Sequence, residues 1–449
     1  MIRKKKQAVE DLQPWQLFPP AEISPALKDK TAEQSLLIQA RQAPGFPVAA
    51  GQIAHAMASR ATHALLDYTQ QGVGIRYQID GLWEPIPPLD REAGDAMLVA
   101  LKTLCSLNPQ DRRSAQSGQW KIKVGRDKFT GTLQSQGVPT GERVLLKIEP
   151  DAMPFTTLAD LGMREKMIES YRGLLNGSEG MVVVSAPKGL GLTTSWQISL
   201  NAADKFVRDF QSIEPQSRPE PETININQNF YDPQEGPTPS ELLRRMLLKE
   251  PDVFLLPEIP DEESLKTICE QVKLHDKHVY VRMVAGDAVE AAARLVGQYR
   301  GAAKSITAIL QGVLNQRIAR RLCENCKQGF QPPPALLQKL GIPAGRVTML
   351  YQPFVPPPIE QQVDEKGRPA PIPPCPQCNG RGYYGRIGIF ELLTPGPKLL
   401  DALHKTQDLQ KLRAVAASEG HRGLQAEAVL TVARGLTSLD ELKRVFSGK

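Results

Sequence analysis

The stretch MVVVSAPKGLGLTTSWQISL, Met181 to Leu200, limits what this 449-residue chain can fold into more than any other. A short apolar run breaks at a glycine-rich turn and then becomes a helical pattern, the strand-to-helix order of an α/β core. A phosphate-binding loop has the form G-x-x-x-x-G-K-[ST] in this same context. Its backbone N–H groups cradle phosphate and its lysine reaches the outer phosphates. From Ala186 to Thr193 the chain has alanine at the first glycine position, keeps Gly189, Gly191 and the Thr193 hydroxyl, and carries Leu192 where the lysine belongs. Taken alone, such a loop reads first as a structural turn.

The sequence that follows changes its meaning. SELLRRMLLKEPDVFLLPEIPDEE presents a helix, a buried-strand run from Val253 to Leu256, and an acidic residue, Glu258, at the strand end. A phosphate loop followed by an apolar strand that ends in a carboxylate is the plan of P-loop ATPases. A further strand, HVYVRMV, and helices through Arg321 are expected to complete the core, which is assigned residues 161–322. A polar, proline-rich patch from Glu214 to Glu222 and a strand at ETININ lie between the glycine turn and Glu258.

Upstream, an Ala-rich helical pattern from Gly51 to Leu66 precedes GVGIRYQIDGLWEPI, an alternating segment whose Asp80–Gly81 pair marks a β-hairpin. Helices and strands then alternate to Pro150, so residues 51–150 read as a small α+β domain, joined to the core by a linker at 151–160. Residues 1–50 open with a basic cluster, carry Pro14, Pro19, Pro20 and Pro25, and read as a partly disordered extension. The cluster Arg3–Lys6 is read as a solvated tail in preference to a membrane or partner contact.

Net charge is +6, with acidic and basic residues interleaved and no basic stripe set among aromatics, so no nucleic-acid partner is expected. No run approaches the roughly 18 apolar residues of a membrane span, and the chain start lacks a signal core, which points to a cytoplasmic protein. Six cysteines include two C-x-x-C pairs, Cys323 with Cys326 and Cys375 with Cys378. Four thiolates so spaced suit a tetrahedral zinc site in a reducing compartment better than unligated thiols or a redox pair. A closed four-thiolate site has no position for substrate, so its role is to hold a proline-rich lobe, residues 323–392, together. Cys105 and Cys269 fall in apolar helical patterns and read as packing residues.

In order along the chain, IRYQIDGLW, LKTLCSLNPQDRRSAQSGQW, LADLGM, RRLCENCK, CPQCNGRGYYGRIGIFELL and SLDELKRV resemble the type II secretion and type IV pilus assembly ATPase family. The run from Gly380 to Leu392 carries the family's G-Y-x-G-R-x-G-I-x-E-L signature, and the resemblance extends from about Gly51 to the C-terminus. It implies a PAS-like domain followed by a RecA-like motor, the tetracysteine zinc lobe and a helical C-terminal subdomain at 393–449. It also implies a hexameric ring, homomeric or mixed, docked on inner-membrane platform proteins without a membrane span of its own. Cofactors implied are structural zinc and ATP with Mg²⁺. The nucleotide-binding positions are Lys188, Gly189, Gly191, Thr193, Thr194 and Glu214; Glu258 is the catalytic, water-positioning carboxylate or else a solvated strand end.

The chain departs from that pattern at several positions. Leu192 replaces the loop lysine, Pro257 and Pro260 flank Glu258 where the family has glycine and arginine, and Val284 stands at a histidine position. Glu214 keeps one acidic position but loses the next, and Lys147 alone answers a pair of arginines. Such combined losses imply a catalytically impaired scaffold or regulatory subunit. The alternative is a weak ATPase in which Lys188 swings in beside Thr193 and Glu258.

Overall fold

The computed structural model describes residues 13–232, 234–343, 345–362 and 368–447; the basic cluster Arg3–Lys6 lies outside them. The chain divides into two compact units, Met1–Pro154 and Phe155–Lys449.

The first unit is a seven-stranded antiparallel sheet in the order β1-β5-β6-β7-β2-β3-β4. Its strands are β1 (Glu22–Pro25), β2 (Ala61–Tyr68), β3 (Val73–Ile79), β4 (Leu82–Leu89), β5 (Gln116–Val124), β6 (Asp127–Val138) and β7 (Gly141–Pro150). The Asp80–Gly81 turn closes β3 on β4 as expected. Ile79 pairs with Leu82, and both turn residues take positive φ, 50° and 90°, which the two-residue hairpin demands. The Ala-rich helix is shorter than its sequence pattern. It covers Phe46–Ala58, and the chain then turns into β2, whose alternate burial between β3 and β7 overrides the helical pattern through Leu66.

Residues 13–50 are not an extension over the part described. β1 pairs antiparallel with β5, Glu22 opposite Lys123, and the helix Lys30–Gln42 is capped by Asp29, which accepts from the Thr31 and Ala32 N–H groups. Ala21, Ile23 and Ala40 join the core of Leu98, Leu101, Trp120 and Ile122.

The second unit contains a sheet in the order β10-β9-β11-β12-β8-β13-β16. It comprises β8 (Gly180–Ala186), β9 (Phe210–Pro215), β10 (Ile226–Tyr231), β11 (Val253–Leu256), β12 (His278–Val284), β13 (Leu310–Leu322) and β16 (Tyr383–Leu393). All pairs are parallel except β13 with β16. β8, apolar but for the hydrogen-bonded Ser185, and the wholly apolar β11 are fully buried, because helices cover both faces. The chain leaves β8 for strands on one side, yet β13 flanks it on the other. β8 therefore lies at the switch point, where the carboxyl ends of strands open a crevice.

Three expectations change here. The strand at ETININ begins later, at Ile226, after Asn225 with φ 61°. Leu310–Leu322 is a strand and not helix, so the helices end at Ile309. The segment Tyr383–Leu393, assigned up to Leu392 to the cysteine lobe, belongs to the main sheet, with Val313 opposite Leu393 and Ile318 opposite Gly388. The lobe proper is thus 323–382, with a small sheet of β14 (Gln328–Phe330) and β15 (Leu350–Gln352). Four helices, Pro397–Lys405, Leu409–Ser418, Leu424–Ala433 and Leu439–Ser447, follow β16.

Candidate functional site

β8 ends at Ala186, and the helix Leu192–Ala202 starts after five intervening residues. Gly189 and Gly191 both take left-handed φ, 77° and 80°, and bend the chain into a loop closed by the Leu190 N–H on the Pro187 carbonyl at 3.1 Å. Gln316 of β13 pins this loop. Its Nε2 donates to the Leu190 carbonyl at 2.8 Å, and its Oε1 accepts from the Ser195 hydroxyl. A Cβ on Gly191 would lie 2.8 Å from Gln316 Nε2, so glycine is required there by both backbone and space.

The loop and helix start bring together Lys188, Gly189, Gly191, Thr193 and Thr194. Lys188 and Thr193 are exposed, Thr194 is half-buried, and Lys188 forms no ion pair among the described residues. Leu192 is half-buried and packs on the core formed by Tyr171, Val182, Val184 and Trp196. An aliphatic side chain thus occupies the start of this helix, held by an apolar seat.

The remaining acidic groups are committed to partners of the chain itself. Glu214, at the end of β9, is buried. It accepts from the Glu220 N–H at 2.7 Å, from Gln228 Nε2 at 3.2 Å and from the Ser212 hydroxyl. Glu258, two residues past β11, is exposed and paired with Arg218 at 2.8 Å. Asp261 caps the helix Glu262–Leu274, accepting from Ser264 N–H at 2.7 Å and Ser264 Oγ at 2.9 Å. Burial first, and then the Glu258 charge, push up the phenols of Tyr231 and Tyr299.

A group that sequence reasoning missed ties these positions together. Arg282 of β12, the strand between β8 and β11, binds Glu220 bidentately at 2.8 and 2.7 Å. Its Nε donates to the Pro257 carbonyl at 3.1 Å, and its guanidinium lies 5.8 Å from the ring centroid of Trp196 in the helix after the glycine loop. The carboxyl ends of β9, β11 and β12 are therefore laced by internal contacts running from Glu214 through Glu220 and Arg282 to Pro257. The visible signal was the charge in HVYVRMV: an arginine in a buried strand needs a partner. Val284 is half-exposed at the end of β12, and Lys147 of β7 pairs with Glu149 at 2.8 Å.

The four cysteines converge. Their sulfurs all lie within 4.8 Å of one another, with Cys323 3.9 Å from Cys375 and Cys326 3.6 Å from Cys378. A tetrahedron with metal–sulfur bonds of about 2.3 Å has edges of about 3.8 Å, so the spacing suits one metal ion. Each pair lies on a tight turn: the Lys327 N–H reaches the Cys323 carbonyl at 2.9 Å, and the Asn379 N–H reaches that of Cys375 at 2.7 Å. The Gly382 N–H at 3.3 Å from Cys378 Sγ and Asn325 Nδ2 at 3.5 Å from Cys375 Sγ orient the sulfurs. The Cys378 N–H, and then Asn325, hold the Cys375 thiol down at about 6. Cys105 and Cys269, by contrast, are buried in separate cores, and burial pushes both thiols up to about 12.

Secretion and pilus assembly ATPases match the chain along most of its length. The chain is 26% identical over 440 residues to the type IV pilus assembly ATPase PilB of Thermus thermophilus, covering 98% of this chain and 44% of that protein. It is 25% identical to the type II secretion system ATPase E of Vibrio cholerae, over 92% of this chain and 77% of that one. It thus spans less than half of the Thermus relative, and 61% of the PilB of Acinetobacter baylyi. Among solved structures, the ATPase DotB of Legionella pneumophila superposes with a TM-score of 0.54 at 14% identity, covering 89% of this chain and 95% of that one, a likeness of fold. The family model described as Type II/IV secretion system protein matches residues 39–444, and the chain belongs to that family.

Proposed function

We propose that this protein is a catalytically impaired member of its family, serving as a scaffold or regulatory subunit at the cytoplasmic face of a secretion or pilus machine. The observation that carries the reading is the set of contacts at the carboxyl ends of β9, β11 and β12. Arg282 with Glu220, and Arg218 with Glu258, use up the charges that a nucleotide and Mg²⁺ would need, while Leu192 supplies none. ATP with Mg²⁺ fits these residues poorly, and no hydrolytic step is assigned. In this reading a PAS-like first unit precedes a RecA-like core. The subunit joins a ring, hexameric and either homomeric or mixed, that docks on inner-membrane platform proteins. Zinc fits the four sulfurs and would lock the lobe without taking part in chemistry.

The alternative, a weak ATPase, draws on exposed Lys188 and Thr193 beside the uncapped start of the helix Leu192–Ala202. Phosphate release by the purified full chain separates the two. The proposal expects no release above background. A rate matching an active relative, abolished in Glu258→Gln, would overturn it.

A further inference from the structure

We propose that a cleft in the first unit binds a phosphorylated small molecule, a site that uses no residue of the glycine loop or the cysteine cluster. The cleft has a volume of 540 Å³ and lies among the turn after β2, the start of the helix Arg91–Leu104, the segment before β5 and the tip of the β6–β7 hairpin. Small-molecule sites span about 300–1,000 Å³.

Three arginines line it, Arg91, Arg112 and Arg113. Asp95 holds two of them, accepting from Arg91 Nε and from Arg112 Nη1, each at 2.8 Å and each on a different carboxylate oxygen. Arg91 also donates to the Thr69 carbonyl. Two cations are thereby fixed side by side on one anion, and one of their charges stays unmatched. The Arg113 side chain has no hydrogen-bond or ion-pair partner among the described residues. Its backbone carbonyl accepts from the Gly137 N–H at 3.2 Å, tying it to the hairpin; a Cβ on Gly137 would come within 2.8 Å of Arg113 Cα, so only glycine allows this approach.

No carboxylate at the site offsets the excess. Glu142 lines the cleft but is buried and matched by Lys102 at 2.6 Å. Asp111 turns its carboxylate onto the N–H groups of Arg113 and Ser114 at 2.9 and 3.1 Å. Guanidinium forks suit phosphate oxygens, which accept several charge-assisted hydrogen bonds at once. Two unmatched positive charges favour a phosphate dianion over a single carboxylate, and the volume leaves room for the rest of an ester.

The test is calorimetric titration of the full chain with inorganic pyrophosphate at low salt. One site per chain is expected. Its affinity should fall about tenfold or more in Arg113→Gln and in Arg112→Gln, the loss of one or more charged hydrogen bonds. Arg218→Gln, an exposed arginine of the second unit, should leave it within about twofold. Arg113 is exposed and unpaired, so its replacement leaves folding intact, and a thermal melt checks Arg112→Gln. AMP and glycerol 3-phosphate as further titrants tell a nucleotide from a lipid-type phosphate, tighter Arg113-dependent binding of either supporting the proposal. Absence of binding at millimolar pyrophosphate, or equal binding by wild type and Arg113→Gln, would overturn it.

Discussion

On the proposed reading, a lysine placed at position 192 should not by itself yield an ATPase. Leu192→Lys places a cation at the loop, yet the groups that a γ-phosphate and Mg²⁺ need stay tied down. The Arg218–Glu258 pair is exposed and contributes about 0–1 kcal/mol. The bidentate Arg282–Glu220 pair is more enclosed, 18% exposed on each side, and hydrogen bonds to charged groups contribute about 1.5–3 kcal/mol. Opening both costs about 1.5–4 kcal/mol, so the competent arrangement is populated about 10-fold to 1,000-fold less than in an unobstructed site. Phosphate release in Leu192→Lys should therefore remain at least about 10-fold below that of an active relative. The substitution also gives up part of a half-buried leucine's packing, about 1 kcal/mol, with the lysine stem recovering some of it. A melting temperature lower by about 2–4 °C is expected. Adding Arg218→Ala and Arg282→Ala should allow ATP binding to appear in titration. Turnover at an active relative's rate by Leu192→Lys alone, lost again in Glu258→Gln, would refute the reasoning.

Other outcomes follow from named contacts. Metal analysis should find about one zinc per chain, and chelation or Cys326→Ser should open residues 323–382 to protease while the main sheet survives, since no lobe cysteine belongs to its cores. Glu441 is buried; burial alone would raise its carboxyl, but Arg444 and Arg320 together hold it below its ordinary value. Its stabilisation is therefore complete above the unfolded value near 4.5 and is lost as pH falls through the lower folded value, which an acid titration of the last helix checks. Glu441→Ala should cost about 3–5 kcal/mol in denaturant melts. Lys102→Met strands Glu142 in the interior and should cost a similar amount, while the double change with Glu142→Leu should cost clearly less than the sum; additive losses would contradict the pairing.

What the sequence disclosed was set by how local each signal is. The Asp80–Gly81 hairpin, the strand–glycine–helix turn and the C-x-x-C knuckles are written in neighbouring residues, and all three formed where expected. The folding of residues 13–50 into the first unit depends on Glu22 meeting Lys123, a pairing that no local pattern announces. The same holds for β16, whose register against β13 decides that the signature from Gly380 to Leu392 serves the main sheet more than the lobe. Glu214 and Glu258 could be named in advance as acidic positions. Their partners Glu220, Gln228 and Arg218 lie in loops and on a neighbouring strand that only the fold assembles.

The pattern of these partners bears on how such a site is held in its altered state. In a working phosphate site the cations and carboxylates of the strand ends stay apart, each waiting for a charge that the ligand brings, and that arrangement is strained when empty. Here the charges are matched within the chain. Arg282 takes Glu220 and the Pro257 carbonyl, the Glu220 backbone satisfies Glu214, and Leu192 buries itself on Trp196 and its neighbours. Each contact stabilises the ligand-free fold. The strand order is held by its own packing, with β8 and β11 fully buried. A single substitution at Leu192 therefore meets a set of mutually satisfied groups at this switch point.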